Sequence, residues 1–416
     1  MRSASDIAAL LRRTRERTHT LYAPLGDEDV VRTPTAIMSP PVWDLGHIAA
    51  YEELWVACTL GGMRSLHPEL QRTYDAFETP RSSRTEVPLL GRAECEHYLA
   101  EVHERTLDVL ERVDTLGDSP LAESGFVFDL VAQHEAQHTE TVLQTLQLFD
   151  GGEYRPRRPG MAPSAVSTAS GRIEIDGGEV AVGSDQRAFT YDCERPRHRV
   201  RLAPYAMARM QVTNAEHVAF IADGGYARKA LWSPQGWQWR CANAVEAPLY
   251  WRRGEHGEWV TRSFDEYRPV EPDHPVCHVS LFEAQAHATW AGARLPTEAE
   301  WEHAATGAVV DDARLDQLDF GTAAVGAAIG GRSAVGCADM FGNVWEWTST
   351  RFGPYDGFIV DPYPQYAQVF FGGEYFVLRG GSWATQSIAM RTTFRNWDHP
   401  YRRQIFAGFR LAWDGV

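Results

Sequence analysis

Apolar residues recur at helical spacing through about the first 150 residues of the chain, and this spacing is lost afterwards. The pattern predicts four long helices, with the approximate bounds Ser5 to His19, Ser39 to Leu60, 92–113 and 126–149. Ser5 and Asp6 would cap the first helix, two prolines after Ser39 would start the second, and Gly151-Gly152 would end the last. Four long helices with modest connections predict a four-helix bundle.

The rest of the chain has short β-like segments, few helices and many Gly and Trp residues. Residues 151–170 are rich in Pro, Gly, Ser and Arg, which predicts a linker between a first domain at 1–150 and a second at 171–416. Strands are predicted within 172–184, 198–210, 375–383 and 408–413. Helices are predicted from Thr213-Asn214 onward and within 280–293 and 295–306. The predicted fold class is therefore α+β, a four-helix bundle followed by an irregular mixed domain.

Composition and charge exclude several classes of partner. The chain has 416 residues, and 56 acidic against 40 basic residues give a net charge of -16, which argues against nucleic acid. No apolar run approaches the roughly 18 residues of a membrane-spanning helix, and the N-terminus follows no signal-peptide plan. The six cysteines are scattered, with no C-x-x-C pair. We expect a cytoplasmic protein with reduced thiols and neither nucleic-acid nor membrane partners.

Histidines lie on the apolar stripes of two predicted helices. The stripe of the fourth helix contains Val127, Val131, His134, His138 and Val142. The stripe of the second contains Trp43, His47, Ala50 or Tyr51, Leu54 and Cys58. A lone inward histidine is usually an ordinary core residue, but three that converge predict a metal site. Neutral imidazoles suit Zn, Fe, Cu or Ni.

The segment His134-Glu135-Ala136-Gln137-His138 also matches H-E-x-x-H, the signature of zinc proteases. The extended signature needs glycine and histidine at the positions of Thr141 and Gln144, and the linker offers only Glu153 as a further acidic ligand. We therefore interpret the match as coincidental and expect Glu135 to face solvent. A zinc hydrolase remains a minor alternative.

Longer motifs resemble a known family. The segments "MSPPVWDLGHIAAYEELW" and "HEAQHTETVLQ" resemble the DinB-like helical domain of ergothioneine sulfoxide synthases. The segments "RLPTEAEWEHAA", "DMFGNVWEWTST", "VLRGGSW" and "TTFRNWDHPYRRQIFAGFRLAW" resemble their C-terminal domain. That domain has the C-type-lectin-like fold of formylglycine-generating enzymes. The combined resemblance covers almost the whole chain and includes the related selenoneine synthases.

The resemblance implies a non-haem iron oxidoreductase. It places mononuclear iron(II) on His47, His134 and His138, and it implies hercynine, a thiol and dioxygen as substrates. The products would be a bond between sulfur and C2 of the hercynine imidazole, and a sulfoxide. Three neutral histidines would leave three positions on an octahedral iron open for substrate and dioxygen.

The resemblance also implies residues that bind the sulfur donor. It places Arg81 and Arg84 where the family binds the carboxylates of γ-glutamylcysteine, and two guanidinium groups can do so bidentately. Asp398 matches the residue that pairs with the amine of the thiol substrate. Without the resemblance, the segment that contains both arginines is as well explained by a solvated turn.

Further matches concern hercynine and proton or electron transfer. Asn396 and Trp397 match the pocket for the trimethylammonium group, for which an indole face is a suitable cation–π partner, and Gln137 matches a ligand of the hercynine carboxylate. The family also uses a tyrosine near the iron, for which this chain offers Tyr363 or Tyr366, with the spacing in favour of Tyr363.

Two segments depart from the family pattern and leave the donor open. Residues 309–336 replace the usual segment that contains "PWG", and 370–381 are shorter than in mycobacterial-type sequences. The retained arginines favour γ-glutamylcysteine or cysteine, whereas the changed loops favour a different donor. The first alternative is a selenoneine synthase that joins hercynine to a selenosugar. The alternative from another class is a non-catalytic ligand-binding module whose histidines belong to the core.

Overall fold

The computed structural model describes residues 3–113, 119–150, 154–156, 171–188, 190–328 and 330–415. The chain divides into two compact units. Unit 1 contains Met1–Pro156 and Gln186–Phe189, and unit 2 contains Arg157–Asp185 and Thr190–Val416. The predicted linker at 151–170 lies outside the described residues except for 154–156. Across the described ranges, no helix is both long enough and apolar enough to cross a membrane.

Unit 1 is a helical bundle, as predicted. Its helices are α1 (Ala4–Tyr22), α2 (Asp27–Val30), α3 (Pro41–Glu52), α4 (Arg92–Glu111) and α5 (Phe126–Leu148). A π-helical segment, Glu53–Leu60, continues α3. Helix α3 packs against α4 and α5, and α1 packs against the same two helices. These contacts bury the apolar stripes read from the sequence.

Helix α1 begins one residue earlier than predicted, and its cap lies two residues earlier. Ser3 is the N-cap, and its hydroxyl accepts a hydrogen bond from the backbone amide of Asp6. The Asp6 carboxylate in turn accepts from the Ser3 amide at 3.0 Å. The expected cap at Ser5 and Asp6 is therefore wrong, because Asp6 is the third helical residue of a capping box and not the cap itself.

The second predicted helix changes its winding at Glu53. Leu54 was expected to face the core, but it is 42% exposed, whereas Glu53 is fully buried. The Glu53 carboxylate accepts hydrogen bonds from the Leu66 amide at 2.6 Å, the Tyr98 hydroxyl at 2.8 Å and the Arg105 guanidinium at 2.8 Å. A π-helical turn contains more residues than an α-helical turn, so it rotates the following side chains away from the α-helical stripe. The expected inward position of Leu54 is therefore wrong.

Unit 2 mixes short helices and strands, which confirms the predicted α+β class. The helices are α6 (Asn214–Ala222), α7 (Pro234–Ala242), α8 (Leu281–Trp290) and α9 (Glu298–Ala304). The strands are β1 (Arg172–Ile175), β2 (Gly178–Val182), β3 (His198–Leu202), β4 (Tyr205–Ala208), β5 (Trp251–Arg253), β6 (Trp259–Ser263), β7 (Glu266–Pro269), β8 (Trp345–Arg351), β9 (Phe376–Arg379), β10 (Asn396–Asp398), β11 (Ala407–Phe409) and β12 (Ala412–Asp414). Thr213 caps α6, as predicted.

Among the described residues, these strands form four small sheets. Their orders are β1-β4-β12, β2-β3, β5-β6-β7 and β10-β9-β8-β11, and only the β8–β11 pair is parallel. The predicted segments 172–184 and 198–210 each divide into two strands that join different sheets. Strand β10 lies at the edge of the four-stranded sheet, next to β9.

Buried arginine–glutamate pairs connect the short elements of unit 2. Arg410 is fully buried and contacts both carboxylate oxygens of Glu346 at 2.8 and 3.0 Å. The Trp301 indole donates to the same carboxylate at 2.8 Å. Arg395, next to β10, forms a similar double contact with Glu298 on α9, at 2.9 Å for both oxygens. These bidentate pairs fix the loops between the sheets, where regular hydrogen-bond ladders are short.

Candidate metal centre

The three predicted metal ligands of unit 1 lie together. His47 is on α3, and His134 and His138 are one turn apart on α5. One ring nitrogen of each histidine lies within 4.8 Å of the others, and the Nε2 atoms of His134 and His47 are 3.1 Å apart. Two helices therefore bring three nitrogen donors to one point in the bundle.

Two of the three histidines, His47 and His134, are in a protonation state that suits metal binding. Burial lowers the pKa of His47 and of His134 well below the usual range, and the neighbouring His138 lowers both further. Both rings are therefore neutral at physiological pH. Metal ions bind the neutral ring, so no proton needs to leave either ring before a cation binds.

Aromatic rings and a backbone carbonyl hold His47. Trp43 stacks on the His47 ring with 4.6 Å between ring centroids and 17° between planes. The carbonyl oxygen of Tyr74 lies 2.5 Å from His47 Nδ1. A carbonyl only accepts hydrogen bonds, so Nδ1 carries the proton and Nε2 keeps its lone pair for a metal.

The other two rings have different neighbours. Tyr51 stacks on His134 with 3.6 Å between centroids and 10° between planes. Asp44, on α3, places a carboxylate oxygen 2.7 Å from His138 Nδ1. Sequence reasoning missed Asp44, although its position three residues before His47 places both on one face of α3.

The burial and hydrogen bonding of the Asp44 carboxylate indicate whether a cation fits the centre. Asp44 is 1% exposed, and within the described residues its second oxygen, Oδ2, has no hydrogen-bond partner. A buried carboxylate with an unsatisfied oxygen is costly unless positive charge lies close by. Three imidazoles beside that carboxylate fit a divalent transition metal, which these histidines would hold.

Glu135 does not face solvent, so that expectation is wrong. It is 5% exposed, and its carboxylate accepts hydrogen bonds from Arg15 Nε at 2.9 Å and from the Thr18 hydroxyl at 2.6 Å. Arg15 also donates to Glu52 at 2.6 Å. No local pattern predicts this contact, because the partner Arg15 is on α1, 120 residues away. Since Glu135 is held by Arg15 and Thr18, it is poorly placed to act as the base of a zinc protease.

Arg84 lies in the wall of the same region. It follows a single 3₁₀ turn, Arg81–Ser83, and its guanidinium carbon is 3.3 Å from the centroid of the Trp43 ring. Its Nε donates to the Thr79 carbonyl at 3.0 Å, and Nη1 donates to the Ser39 hydroxyl at 2.5 Å. Trp43 thus contacts both Arg84 and the metal-ligand candidate His47.

The charge of Arg84 is poorly compensated. Burial, opposed by Asp44 and assisted by Arg81, lowers the pKa of Arg84 to about 9. Within the described ranges no carboxylate forms an ion pair with Arg84, whose exposed fraction is only 5%. Arg81 is exposed. A buried cation without an ion-pair partner is a suitable site for an anionic ligand.

Gln137 immediately precedes His138 on α5 and is half-buried. Its backbone carbonyl accepts a hydrogen bond from the Thr141 hydroxyl at 3.2 Å. Gln137 therefore shares one helical turn with two of the three histidines. In unit 1 the structure brings His47, His134 and His138 together, with Trp43 and Arg84 beside them.

The predicted residues Asn396, Trp397 and Asp398 form strand β10 of unit 2. Trp397 stacks face to face on Phe352 at 4.0 Å, and the ring of Tyr366 meets it edge-on at 5.8 Å. The side-chain oxygen of Asn396 accepts from the Trp397 amide at 2.9 Å. The structure thus brings Trp397 and Tyr366, two of the predicted residues, into one aromatic cluster.

The two candidate tyrosines share a neighbour, Tyr191. Tyr366 stacks on Tyr191 with 3.8 Å between centroids and 11° between planes. Burial raises the pKa of Tyr191, and Tyr363 raises it further. Both candidates are half-buried. Tyr363 and Tyr366 therefore both lie near Tyr191 in unit 2.

Gly46 allows Tyr74 to approach the metal centre, which gives a prediction. A Cβ atom at Gly46 would overlap the Tyr74 ring, and the Tyr74 carbonyl holds His47. We expect Gly46→Ala to lower the free energy of unfolding by about 1–3 kcal/mol, as overpacking does, in urea titrations of the metal-free protein. Gly26→Ala is the control, because its nearest neighbour is Asp29 Oδ2 at 3.9 Å. The control should change stability by less than about 0.5 kcal/mol, and equal effects would contradict the overlap.

Comparisons with known proteins match the whole chain. The DinB superfamily matches residues 10–142, and the sulfatase-modifying factor enzyme 1-like domain matches 158–415. A hercynine oxygenase of Mycobacterium tuberculosis is 42% identical over 434 residues, covering 100% of each chain. One from Mycolicibacterium smegmatis is 40% identical over 439 residues, with the same coverage. A formylglycine-generating enzyme of Streptomyces coelicolor is 33% identical and covers 62% of this chain and 93% of its own.

Proposed function

The chain belongs to the hercynine oxygenase family, the ergothioneine sulfoxide synthases, and we propose that it joins hercynine to a thiol in an iron- and dioxygen-dependent oxidation. It is an oxidoreductase with a DinB-like domain and a formylglycine-generating-enzyme-like domain. The observation that supports the proposal most is the group of His47, His134 and His138 in unit 1. Membership of the family supports the reaction class, and the three histidines support a metal site for its chemistry.

The proposed reaction is balanced with one molecule of each substrate. The C2–H bond of the hercynine imidazole and the S–H bond of the thiol break, and a C–S bond forms. One oxygen atom of O₂ goes to sulfur as the sulfoxide, and the other leaves as water. Iron(II), when bound, supplies redox chemistry with dioxygen that amino-acid side chains lack.

Arg84 supports a donor that contains a carboxylate. A buried guanidinium that lacks an ion pair within the described ranges gains a charge-assisted hydrogen bond when a carboxylate binds. γ-Glutamylcysteine and cysteine contain carboxylates, whereas a neutral selenosugar would leave the cation uncompensated. We therefore propose a thiol donor, with Arg84 and the exposed Arg81 as its carboxylate ligands and Asp398 as the partner of its amine.

For hercynine we propose two groups of residues. Gln137 would donate a hydrogen bond to the carboxylate. In unit 2, Trp397 and Asn396 would receive the trimethylammonium group. Phe352 covers one face of Trp397, so the cation would use the remaining face.

Tyr363 or Tyr366 is proposed to transfer a proton or an electron during sulfoxide formation. Replacing the working tyrosine with phenylalanine should leave donor binding intact and shift products from the sulfoxide towards oxidised thiol. Product ratios for Tyr363→Phe and Tyr366→Phe identify which one acts. The scattered positions of the six cysteines, with no C-x-x-C pair, support the proposed location, the cytoplasm.

A competition assay tests the proposed function. The full-length protein is loaded with iron(II) without air and mixed with hercynine, γ-glutamylcysteine, cysteine and a selenosugar, and oxygen is then admitted. Mass spectrometry should find a hercynyl thio-adduct with one added oxygen. A product with the selenium isotope pattern would instead support the selenoneine synthase and assign the changed segments 309–336 and 370–381 to donor choice.

Unchanged hercynine in every mixture would contradict the enzyme proposal and favour a non-catalytic ligand-binding module. In that case the histidines would be core residues and iron would bind weakly. A zinc enzyme would show zinc after purification and recover activity from zinc alone after chelation. Metal content measured with the same preparations therefore separates these alternatives.

The role of Arg84 gives a further prediction. Arg84→Met keeps an unbranched side chain over Trp43 but removes the charge. We expect KM for the thiol donor to rise about 10–100-fold, because a hydrogen bond to a charged group contributes about 1.5–3 kcal/mol. KM for hercynine should change little.

Arg81→Met is the matched control for this prediction. Arg81 is exposed, so solvent screens its charge, and the donor KM should rise less than about 5-fold. Steady-state kinetics with each substrate varied in turn measures both effects. An unchanged donor KM in the folded Arg84→Met protein would contradict the role proposed for Arg84.

A further inference from the structure

Helix α3 contributes two groups to the candidate metal centre, one helical turn apart. His47 presents a ring nitrogen towards His134, and Asp44 reaches across to α5. The Asp44 Oδ1 atom lies 2.7 Å from Nδ1 of His138, and Asp44 is 1% exposed. A carboxylate only accepts hydrogen bonds, so in a His138 ring that carries one proton this contact puts that proton on Nδ1. Nε2 of His138 is then left with the lone pair.

The three histidines have unequal surroundings. The described partner of His47 Nδ1 is a neutral carbonyl, that of Tyr74. His134 is stacked under Tyr51. Among the contacts of the described residues, only His138 has a carboxylate at its second ring nitrogen. A carboxylate that accepts the N–H of an imidazole makes that ring a stronger electron donor to a metal.

The negative charge of Asp44 acts on Arg84 as well as on His138. Its second oxygen is buried and has no hydrogen-bond partner among the described residues, and its charge favours the cationic form of Arg84. The carboxylate therefore contacts the candidate metal centre through His138 and acts electrostatically on the buried guanidinium. One negative charge in this position would partly compensate both the Arg84 guanidinium and a metal ion bound at the histidines.

We propose that Asp44 is a positioning residue that fixes the orientation and tautomer of His138 and makes it the strongest electron donor among the three ligands. This inference rests on the proposed metal site. It extends that site to a residue that does not touch the metal but sets how strongly one ligand binds it. Asp44 would thereby raise metal affinity and stabilise the oxidised metal relative to the reduced metal.

The test compares full-length wild-type protein with Asp44→Asn. Asparagine has nearly the same shape and can still accept the His138 N–H bond, but it lacks the charge. We expect the Kd for iron(II), measured without air against a chromophoric chelator, to rise about 10-fold, within the roughly 10–100-fold typical of lost outer partners. The Kd for zinc(II), which undergoes no redox chemistry, should rise similarly. The reduction potential of the iron-loaded protein should become more positive.

Glu53→Gln is the matched control. Glu53 is also a buried carboxylate, and it follows α3 directly, but none of its described hydrogen-bond partners is a histidine of the centre. These partners are Ser65, Leu66, Gln71, Tyr98 and Arg105. The variant should unfold at lower urea concentration without a change in metal affinity. Urea titration of each metal-free variant shows whether a change in affinity only reflects lost stability.

The outcomes distinguish this inference from the metal site on which it rests. If wild-type protein binds iron(II) and zinc(II), and Asp44→Asn binds both with unchanged Kd and unchanged potential, Asp44 is a packing residue and the inference is overturned. If wild-type protein binds neither metal, the three-histidine centre itself is wrong, and the inference is overturned with it.

Discussion

His134→Ala is expected to abolish both metal loading and turnover while the bundle stays folded. His134 provides one of three ligand nitrogens, and alanine leaves only two. Loss of an outer hydrogen-bond partner typically costs about 10–100-fold in metal affinity, so we expect loss of a ligand to cost more than about 100-fold. Metal content of the purified protein and the Kd for iron(II) measure the effect, and circular dichroism reports the fold.

His97→Ala is the control for this variant. His97 lies on α4 with 74% of its side chain exposed, so its removal should leave metal content and turnover unchanged. The His134→Ala cavity is lined by Tyr51, whose ring stacks on the histidine. Full turnover by His134→Ala would remove His134 from the proposed ligand set. It would also contradict the three-histidine metal centre that the relationship to the family implies.

Arg15→Met is expected to have the largest effect on stability in unit 1. Arg15 donates to Glu52 at 2.6 Å and to Glu135 at 2.9 Å, and all three side chains are buried. Methionine fills much of the volume but leaves two carboxylates without their cation. Removing one partner from a buried ion pair costs about 3–5 kcal/mol, so we expect the free energy of unfolding to fall by that amount in urea titrations.

This network also predicts a dependence on pH. Burial alone would raise the pKa of Glu52, but Arg15 and His103 bring it down to about 2, from a usual value of 4.5. Because the folded-state pKa is lowered, the contribution of Glu52 to stability is fully present above pH 4.5 and is lost as the pH falls towards 2. Arg15→Met should remove this part of the acid sensitivity.

Arg72→Met is the matched control, because Arg72 also pairs with a glutamate, Glu78, but at the surface. With 84% of the Arg72 side chain exposed, the pair should contribute less than about 1 kcal/mol. A second comparison combines Arg15→Met with Glu52→Leu and Glu135→Leu, which removes the stranded charges and should recover part of the loss. Equal stability of Arg15→Met and wild type would contradict the importance of the network.

The helical half of the fold was largely predictable from the sequence. Periodicity at 3.6 residues depends on which neighbours share a helix face, and this relation holds within a single segment. It correctly placed His134 and His138 on the inner stripe of α5, between Val131 and Val142. The same rule failed for Leu54, because a π-helical turn changes the number of residues per turn.

Unit 2 was less predictable. Its strands have three to seven residues, too few for a clear alternation, so β5–β8 and β10 were not predicted. The loops of unit 2 are held by ion pairs such as Arg395–Glu298, whose partners are 97 residues apart in the sequence. In unit 2 the resemblance to the family rests on motifs that match letter by letter, because local periodicity was not enough to predict the fold.

The sequence by itself determined the four long helices of unit 1, the inward stripes that contain the three histidines, and the family. Each depends on local periodicity or on motifs that can be read letter by letter. Only the tertiary structure decided the partners of these residues: Asp44 for His138, Arg15 for Glu135, Trp43 for Arg84. A polar contact between distant segments leaves no periodic trace, because it needs one correct atom on each side and places no constraint on the residues between them.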